Sequence, residues 1–325
     1  MTLTFLQLAE KVLQEERRPL TPEEIWEIVL KKGYDKLIET RGKTPWRTLA
    51  AELYVCVRDK PDGPFIAVEG RPKRFSLRSL EGTPEGPKPP NKGPSPDEEI
   101  AFSEKDLHPF LAYYGYYYLQ AYLKTIHHSK SGKKEFGEWT HPDMVGCRYP
   151  FGDWLDEVVE VSSLMGNAAL TLFSFEIKRE LSFANLREAF FQAVSNSSWA
   201  HQGYLVVAEI DTNTDFRTEL ERLSTSFGIG VIRIDVGDPN ATEILYPARY
   251  KASVDWETVN KLASLNPDFR AFLKRIKTDL TSKEIYREWY DKVLDEKELI
   301  HLIAEKKKVK VDGISIPAGT NEERG

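Results

Sequence analysis

The sequence has little of what would tie it to a membrane, a disulfide scaffold or a basic nucleic-acid coat. Its two cysteines, Cys56 and Cys147, are too few and too far apart for a disulfide framework or a zinc site, so both read as buried thiols. No apolar run approaches the roughly 18 residues a membrane-spanning helix needs. The chain opens on an amphipathic pattern without a basic leader, so the expectation is a cytoplasmic protein with neither span nor signal. Positive charge is not in excess either: 45 Lys and Arg against 51 Asp and Glu give a net charge of -6. That excludes a uniformly basic surface and leaves room for local patches.

The charge is uneven, and so is the chain. Residues 1–80 carry 15 Lys and Arg against 12 Asp and Glu, residues 81–100 carry 2 against 5, and the remainder 28 against 34. The basic excess therefore sits in the first unit. Six prolines fall between residues 81 and 97 with almost nothing apolar, which reads as an extended spacer that buries no surface. The expected organisation is a first domain at 1–80, a linker at 81–100, an α/β core at 101–250, and a helical extension with a tail at 251–325. With 41% hydrophobic residues over 325 positions, the chain can build separate cores.

In the first unit, Thr4 precedes an apolar pattern at helical spacing, and Thr21-Pro22-Glu23-Glu24 combines a cap, a first-position proline and an acidic first turn. Thr44-Pro45 repeats the start signal, and two short strands at 65–68 and 74–77 follow. Three helices and a hairpin are the order of a winged helix-turn-helix. Lys43, Thr44 and Arg47 on the third helix would meet a major groove, and Arg71, Lys73 and Arg74 on the wing would meet phosphate or the minor groove. The alternative for such a unit is a protein-interaction module, with Trp46 and Leu49 in its core.

The second unit opens with an apolar helical pattern over 104–128 that carries five tyrosines between Tyr113 and Tyr118; packing against a sheet and stacking on bases are the two readings. The basic stretch Lys130, Lys133 and Lys134 suits a phosphate backbone or a solvated loop. Next comes the apolar run 170–175, ending in Glu176-Ile177-Lys178. In a strand side chains alternate, so Glu176 and Lys178 share one face while Ile177 enters the core. Two carboxylates, Asp143 and Glu176, suffice as protein anchors for Mg2+ or Mn2+, and Lys178 beside them would position or deprotonate the attacking water and offset transition-state charge. Glu138 is a candidate additional ligand. His141 is assigned a supporting role beside Asp143. The alternative is an ordinary salt bridge at a sheet edge.

The stretch from about 103 to 250 resembles the PD-(D/E)xK nuclease superfamily, through Pro142-Asp143 and Glu176-Ile177-Lys178 and through the wider words Glu138-Trp139-Thr140-His141-Pro142-Asp143 and Phe173-Ser174-Phe175-Glu176. It is most similar to restriction-endonuclease-like proteins of the HrgA-like and Mrr-like groups. Gln192 on the following helix matches a glutamine common in the Mrr-like branch, which implies a role at the catalytic centre. The first unit resembles the HARE-HTH family through Gly42-Lys43-Thr44-Pro45-Trp46-Arg47-Thr48-Leu49 and Arg74-Phe75-Ser76-Leu77, which implies DNA contact and the sensing of base modification. Together these imply a DNA endonuclease in host defence, dependent on Mg2+ or alternatively Mn2+, acting on double-stranded DNA as a homodimer, with or without a cognate methyltransferase. The alternative is a DNA-binding regulator on an inactive nuclease-like scaffold.

Overall fold

Local capping fixes the first two helices. In this computed structural model, residues 3–38, 45–60, 62–68, 73–80, 102–131, 141–149, 155, 157, 158, 160, 161 and 170–311 are described. Thr4 and Gln7 form a capping box at the start of α1 (Phe5–Glu16). Thr21 and Glu24 form a second at α2 (Pro22–Lys32), which Gly33 closes in the left-handed conformation, φ 71°. Helix α3 (Pro45–Asp59) is followed by the antiparallel pair β1 (Phe65–Val68) and β2 (Arg74–Leu77), with Phe65 opposite Leu77. Leu20 bridges to Phe75 and widens the hairpin. Leu8, Val12, Ile25, Val29, Leu49 and Phe75 are fully buried in the shared core, so the helix-turn-helix and hairpin order is as expected.

The second unit is a six-stranded mixed sheet flanked by helices. Helix α4 (His108–Tyr117) leads into β3 (Tyr122–Thr125), β4 (Met144–Arg148) and β5 (Thr171–Leu181); then come α5 (Leu186–Asn196), β6 (Gln202–Ile210), α6 (Thr214–Phe227), β7 (Gly230–Arg233) and β8 (Glu243–Tyr246). Their spatial order is β3-β4-β5-β6-β7-β8. The pairs β3/β4 and β4/β5 are antiparallel, β5/β6 and β6/β7 are parallel, and β8 closes the far edge antiparallel to β7. Leu205, Val206 and Val207 on central β6 are fully buried, as a strand covered on both faces requires.

Two expectations are corrected. The pattern at 104–128 is not one helix: a 3-10 turn (Glu104–Leu107) leads into α4, which stops at Tyr117. Gln120 takes the left-handed conformation, φ 54°, and the Ala121 N–H closes on the Gly115 carbonyl at 2.8 Å. The chain then turns into β3, whose Leu123 lies so close to Gly115 that a Cβ there would stand 2.4 Å from its side chain. The tyrosines pack rather than project: Tyr113 and Tyr114 are buried, and Tyr114 stacks on Tyr118.

The stretch after 251 is helical only in part, as α7 (Trp256–Leu265), α8 (Pro267–Ser282) and α9 (Glu296–Val311), with an irregular segment before α9. That segment is tied to the sheet edge: Asp291 accepts from Thr125 N–H at 2.7 Å, from its hydroxyl at 2.6 Å and from Lys124 Nζ at 3.1 Å. No helix among the described residues is long and apolar enough to cross a membrane. The proline-rich stretch 81–100 and the tail beyond 311 lie outside the described residues.

Candidate active site

Strand β5 outruns its neighbour, and the site forms where it does. β4 begins at Met144 opposite Phe175, while β5 continues to Leu181. Glu176 therefore lies within a strand, not at its end as the sequence suggests. Beyond Phe175 the β5 backbone has no β4 partner, and an unpaired buried N–H is costly. The Ile177 N–H is instead taken by the carboxylate of Asp143, the residue just before β4, through Oδ2 at 2.7 Å. This bond brings Asp143 against Glu176 and Lys178. Ile177 itself is fully buried in the core, and Lys178 Nζ donates to Glu176 Oε1 at 2.9 Å, so the alternation read from the sequence holds.

The two carboxylates are driven apart in acidity. Burial, reinforced by the charge of Asp143, pushes Glu176 up to about 7 against the opposing pull of Lys178 and Asn196. Burial also acts against the Asp143 carboxylate, but hydrogen bonds from His128 and the Ile177 N–H outweigh it and hold Asp143 below its ordinary value. Lys178 stays charged: burial opposes its charge, and the carboxylates of Glu176 and Asp143 more than restore it. Glu104, in the turn before α4, adds to that support and was not identified from the sequence as part of the site.

Three further side chains complete the centre. His128 Nε2 stands 3.2 Å from Asp143 Oδ1, and that bond raises the imidazole above its usual value despite burial. The turn bearing His128 is clamped by the start of α8, where Asp268 takes His127 and Lys130 at 2.8 and 2.9 Å. Asn196, the last residue of α5, donates Nδ2 to Glu176 Oε2 at 2.8 Å and to the His141 carbonyl at 3.2 Å. His141 is wholly buried, with burial and the nearby His128 pushing it down to about 4, so its ring is neutral. Among the described residues neither of its ring nitrogens, nor Asn196 Oδ1, has a hydrogen-bond partner.

Gln192 is not where the expected role requires. It is half-buried on α5 and makes none of the hydrogen bonds of Glu176, Lys178 or Asp143; Asn196, one turn on, does. The sequence did carry a signal. Leu186, Ala189, Phe190 and Ala193 form the buried stripe of α5, and Asn196 is its next member, a polar side chain on an apolar face. His201, by contrast, is structural: its Nδ1 accepts from the Leu172 N–H at 2.9 Å.

The residues assigned to DNA are mostly engaged within the chain. Lys130 pairs with Asp268, and Arg74 grips Glu24 with two bonds of 2.7 and 3.1 Å. The Lys73 N–H donates to Asp238 at 3.0 Å, and Arg47 is buried against α4. Arg47 is thereby corrected from a free groove-facing cation to an internal one. Lys43, Thr44, Arg71, Lys133, Lys134 and Glu138 lie outside the described residues. Among the described residues no three His, Cys, Asp or Glu side chains are gathered as a metal cage.

The model of the HARE-HTH family, whose description reads in part "restriction endonuclease HTH domain", matches residues 3–80. That span covers α1 to β2, so the chain carries a winged-helix DNA-binding module of this family. No curated protein and no solved structure matches the chain.

Proposed function

We propose that the chain is a metal-dependent DNA endonuclease whose winged helix brings the sheet-borne site to duplex DNA. The observation that carries this reading is the Asp143 carboxylate seated on the backbone N–H between Glu176 and Lys178, which places two carboxylates and an ammonium at one strand. A strand-edge salt bridge would need only Glu176 and Lys178; it gives no reason for a second carboxylate, His128 and Asn196 to converge there.

The donor set fits a hard divalent ion. Asp143 and Glu176 supply oxygens, which suit Mg2+ or Mn2+. The orphaned nitrogens of buried His141 and Oδ1 of Asn196 are polar atoms that an ion's water shell would satisfy. Such an ion would supply an acidified water and charge neutralisation at phosphate. The chain's own residues do the rest. Lys178, held by Glu176, offsets charge developing on the phosphoryl oxygens, His128 and the Ile177 N–H fix the Asp143 carboxylate, and Asn196 fixes Glu176. The reader's family description names restriction endonucleases, which supports a defence role. That role implies two sites for two strands in a homodimer, and either a cognate methyltransferase or sensing of modified bases.

The test is cleavage of duplex DNA, unmodified and carrying modified cytosine, with Mg2+ or Mn2+, by wild type, Asp143→Ala and Lys178→Ala. Metal-dependent cutting that both substitutions abolish is expected. Retained binding with no cutting of any duplex by wild type would replace the endonuclease with a DNA-binding regulator on a nuclease-like scaffold.

A further inference from the structure

A winged helix that reads DNA offers the start of its third helix to the groove and its wing to phosphate. Here both are spoken for. Arg47, near the start of α3, is only 6% exposed. Its guanidinium lies 3.3 Å from the ring centre of Tyr117 and 4.7 Å from that of Tyr113, both on α4 of the body, with Trp46 of its own helix 4.1 Å away. Such stacking compensates a buried cation without an ion pair.

Farther along the helix and on the wing, one carboxylate takes two donors. Asp238, in the turn before β8 and 3% exposed, accepts from the Tyr54 hydroxyl at 2.9 Å and from the Lys73 backbone N–H at 3.0 Å, both on the same oxygen. Hydroxyls and backbone N–H groups are the donors that proteins direct at DNA phosphate oxygens. Next to it, Asn240 accepts from the Tyr113 and Tyr118 hydroxyls at 2.6 and 3.0 Å and donates to Glu296 at 2.9 Å. The docking surface is thus built and anchored from the body's side, and the group it presents to the reader is, like a phosphate, an anionic oxygen.

We propose that the turn containing Asp238 and Asn240 is the resident partner of the reader's third helix and wing, standing in for DNA phosphate, so that this turn and duplex DNA compete for one face. Arg47 cannot be stacked on Tyr117 and reach a phosphate or a base edge at once. The full chain therefore binds duplex more weakly than its reader face would allow, by the fraction of molecules left undocked. The inference rests on the DNA-binding module at residues 3–80 and not on cleavage, so a protein that binds but never cuts leaves it standing.

Duplex affinity of the full chain, read by fluorescence anisotropy with a mixed-sequence duplex and no divalent ion, separates the outcomes. Asp238→Ala and Tyr117→Leu both lie outside the reader and remove its partner, so each is expected to tighten binding about tenfold if roughly one molecule in ten is undocked in wild type. Unchanged or weaker binding by both variants, with thermal unfolding showing them folded, overturns the proposal; so does a wild type and variants that bind no duplex. Should either variant fail to fold, hydrogen exchange on wild type decides the matter. Duplex is expected to speed exchange in the Asp238–Ala241 turn, and bound duplex that leaves the turn's protection unchanged overturns the proposal.

Discussion

Asn196 Nδ2 holds Glu176 Oε2 at 2.8 Å from the end of the helix that follows β5, and both residues are 1% exposed. The same amide group donates to the His141 carbonyl. Asn196→Ala leaves a buried carboxylate and a buried carbonyl each short of a donor, a loss of about 1–3 kcal/mol of stability. Gln192→Ala touches neither and is expected within about 0.5 kcal/mol of wild type. Chemical denaturation of the two variants compares them directly; equal values would show that Asn196 is not the residue that secures Glu176.

His128 acts on the site through Asp143, whose Oδ1 it holds at 3.2 Å. Partners of this kind orient a ligating carboxylate, and their loss lowers metal affinity by about 10–100-fold. His128→Ala is therefore expected to weaken Mn2+ binding on that scale in titration calorimetry while leaving the fold intact. Affinity equal to wild type would mean that the Ile177 N–H alone fixes Asp143.

The sequence made the elements legible where a local signal exists, and lost them where tertiary contacts decide. Thr21, Glu24 and Gly33 mark the bounds of α2, and the alternation at Glu176, Ile177 and Lys178 survives because strand geometry permits nothing else. The long helix expected at 104–128 fails because Gly115 lets Leu123 approach and Gln120 reverses the chain, a packing choice that helical periodicity does not contain. His128 was invisible for a related reason. Fifteen positions separate it from Asp143, and the clamp that delivers it, Asp268 on α8, comes from the far end of the chain. Arg47 shows the converse. A basic residue early in a third helix reads as groove-facing, yet burial between Trp46, Tyr113 and Tyr117 is set by another unit's surface.

The C-terminal helices are locked to the sheet by a buried charge. Asp279 on α8, fully buried, accepts from Tyr290 at 2.7 Å, from Tyr149 at 3.2 Å and from Arg275 Nε at 2.7 Å. Asp279→Ala strands the Arg275 cation and two hydroxyls, for an expected loss of about 3–5 kcal/mol. Tyr290→Phe removes one donor and keeps the ring, for about 1–2 kcal/mol. Urea unfolding measures both. An Asp279→Ala protein no less stable than Tyr290→Phe would mean that the network orients α8 without stabilising it.

The docked interface also responds to pH. Burial, with the charges of Glu23 and Asp238, pushes the Glu296 carboxyl up to about 7, against the bond from Asn240 and the Arg47 cation; Glu23 is raised as well, chiefly by burial. The other titratable groups facing this cluster are the Tyr54, Tyr113 and Tyr118 hydroxyls, each raised chiefly by burial, and they remain neutral through this range. A group whose pKa is raised on folding stabilises the folded state fully below its unfolded value of 4.5, and that contribution is lost as pH climbs through about 7. Glu296→Gln keeps an oxygen for Asn240 and stays neutral at every pH. It should match wild type near pH 5 and exceed it in stability near pH 8. Glu176 titrates in the same range with the same sign, but it is present in both proteins, so the difference between them reports Glu296 alone. Thermal unfolding across this range reads that difference, and identical curves at both ends would mean that Glu296 ionises freely and is not held against Glu23 and Asp238.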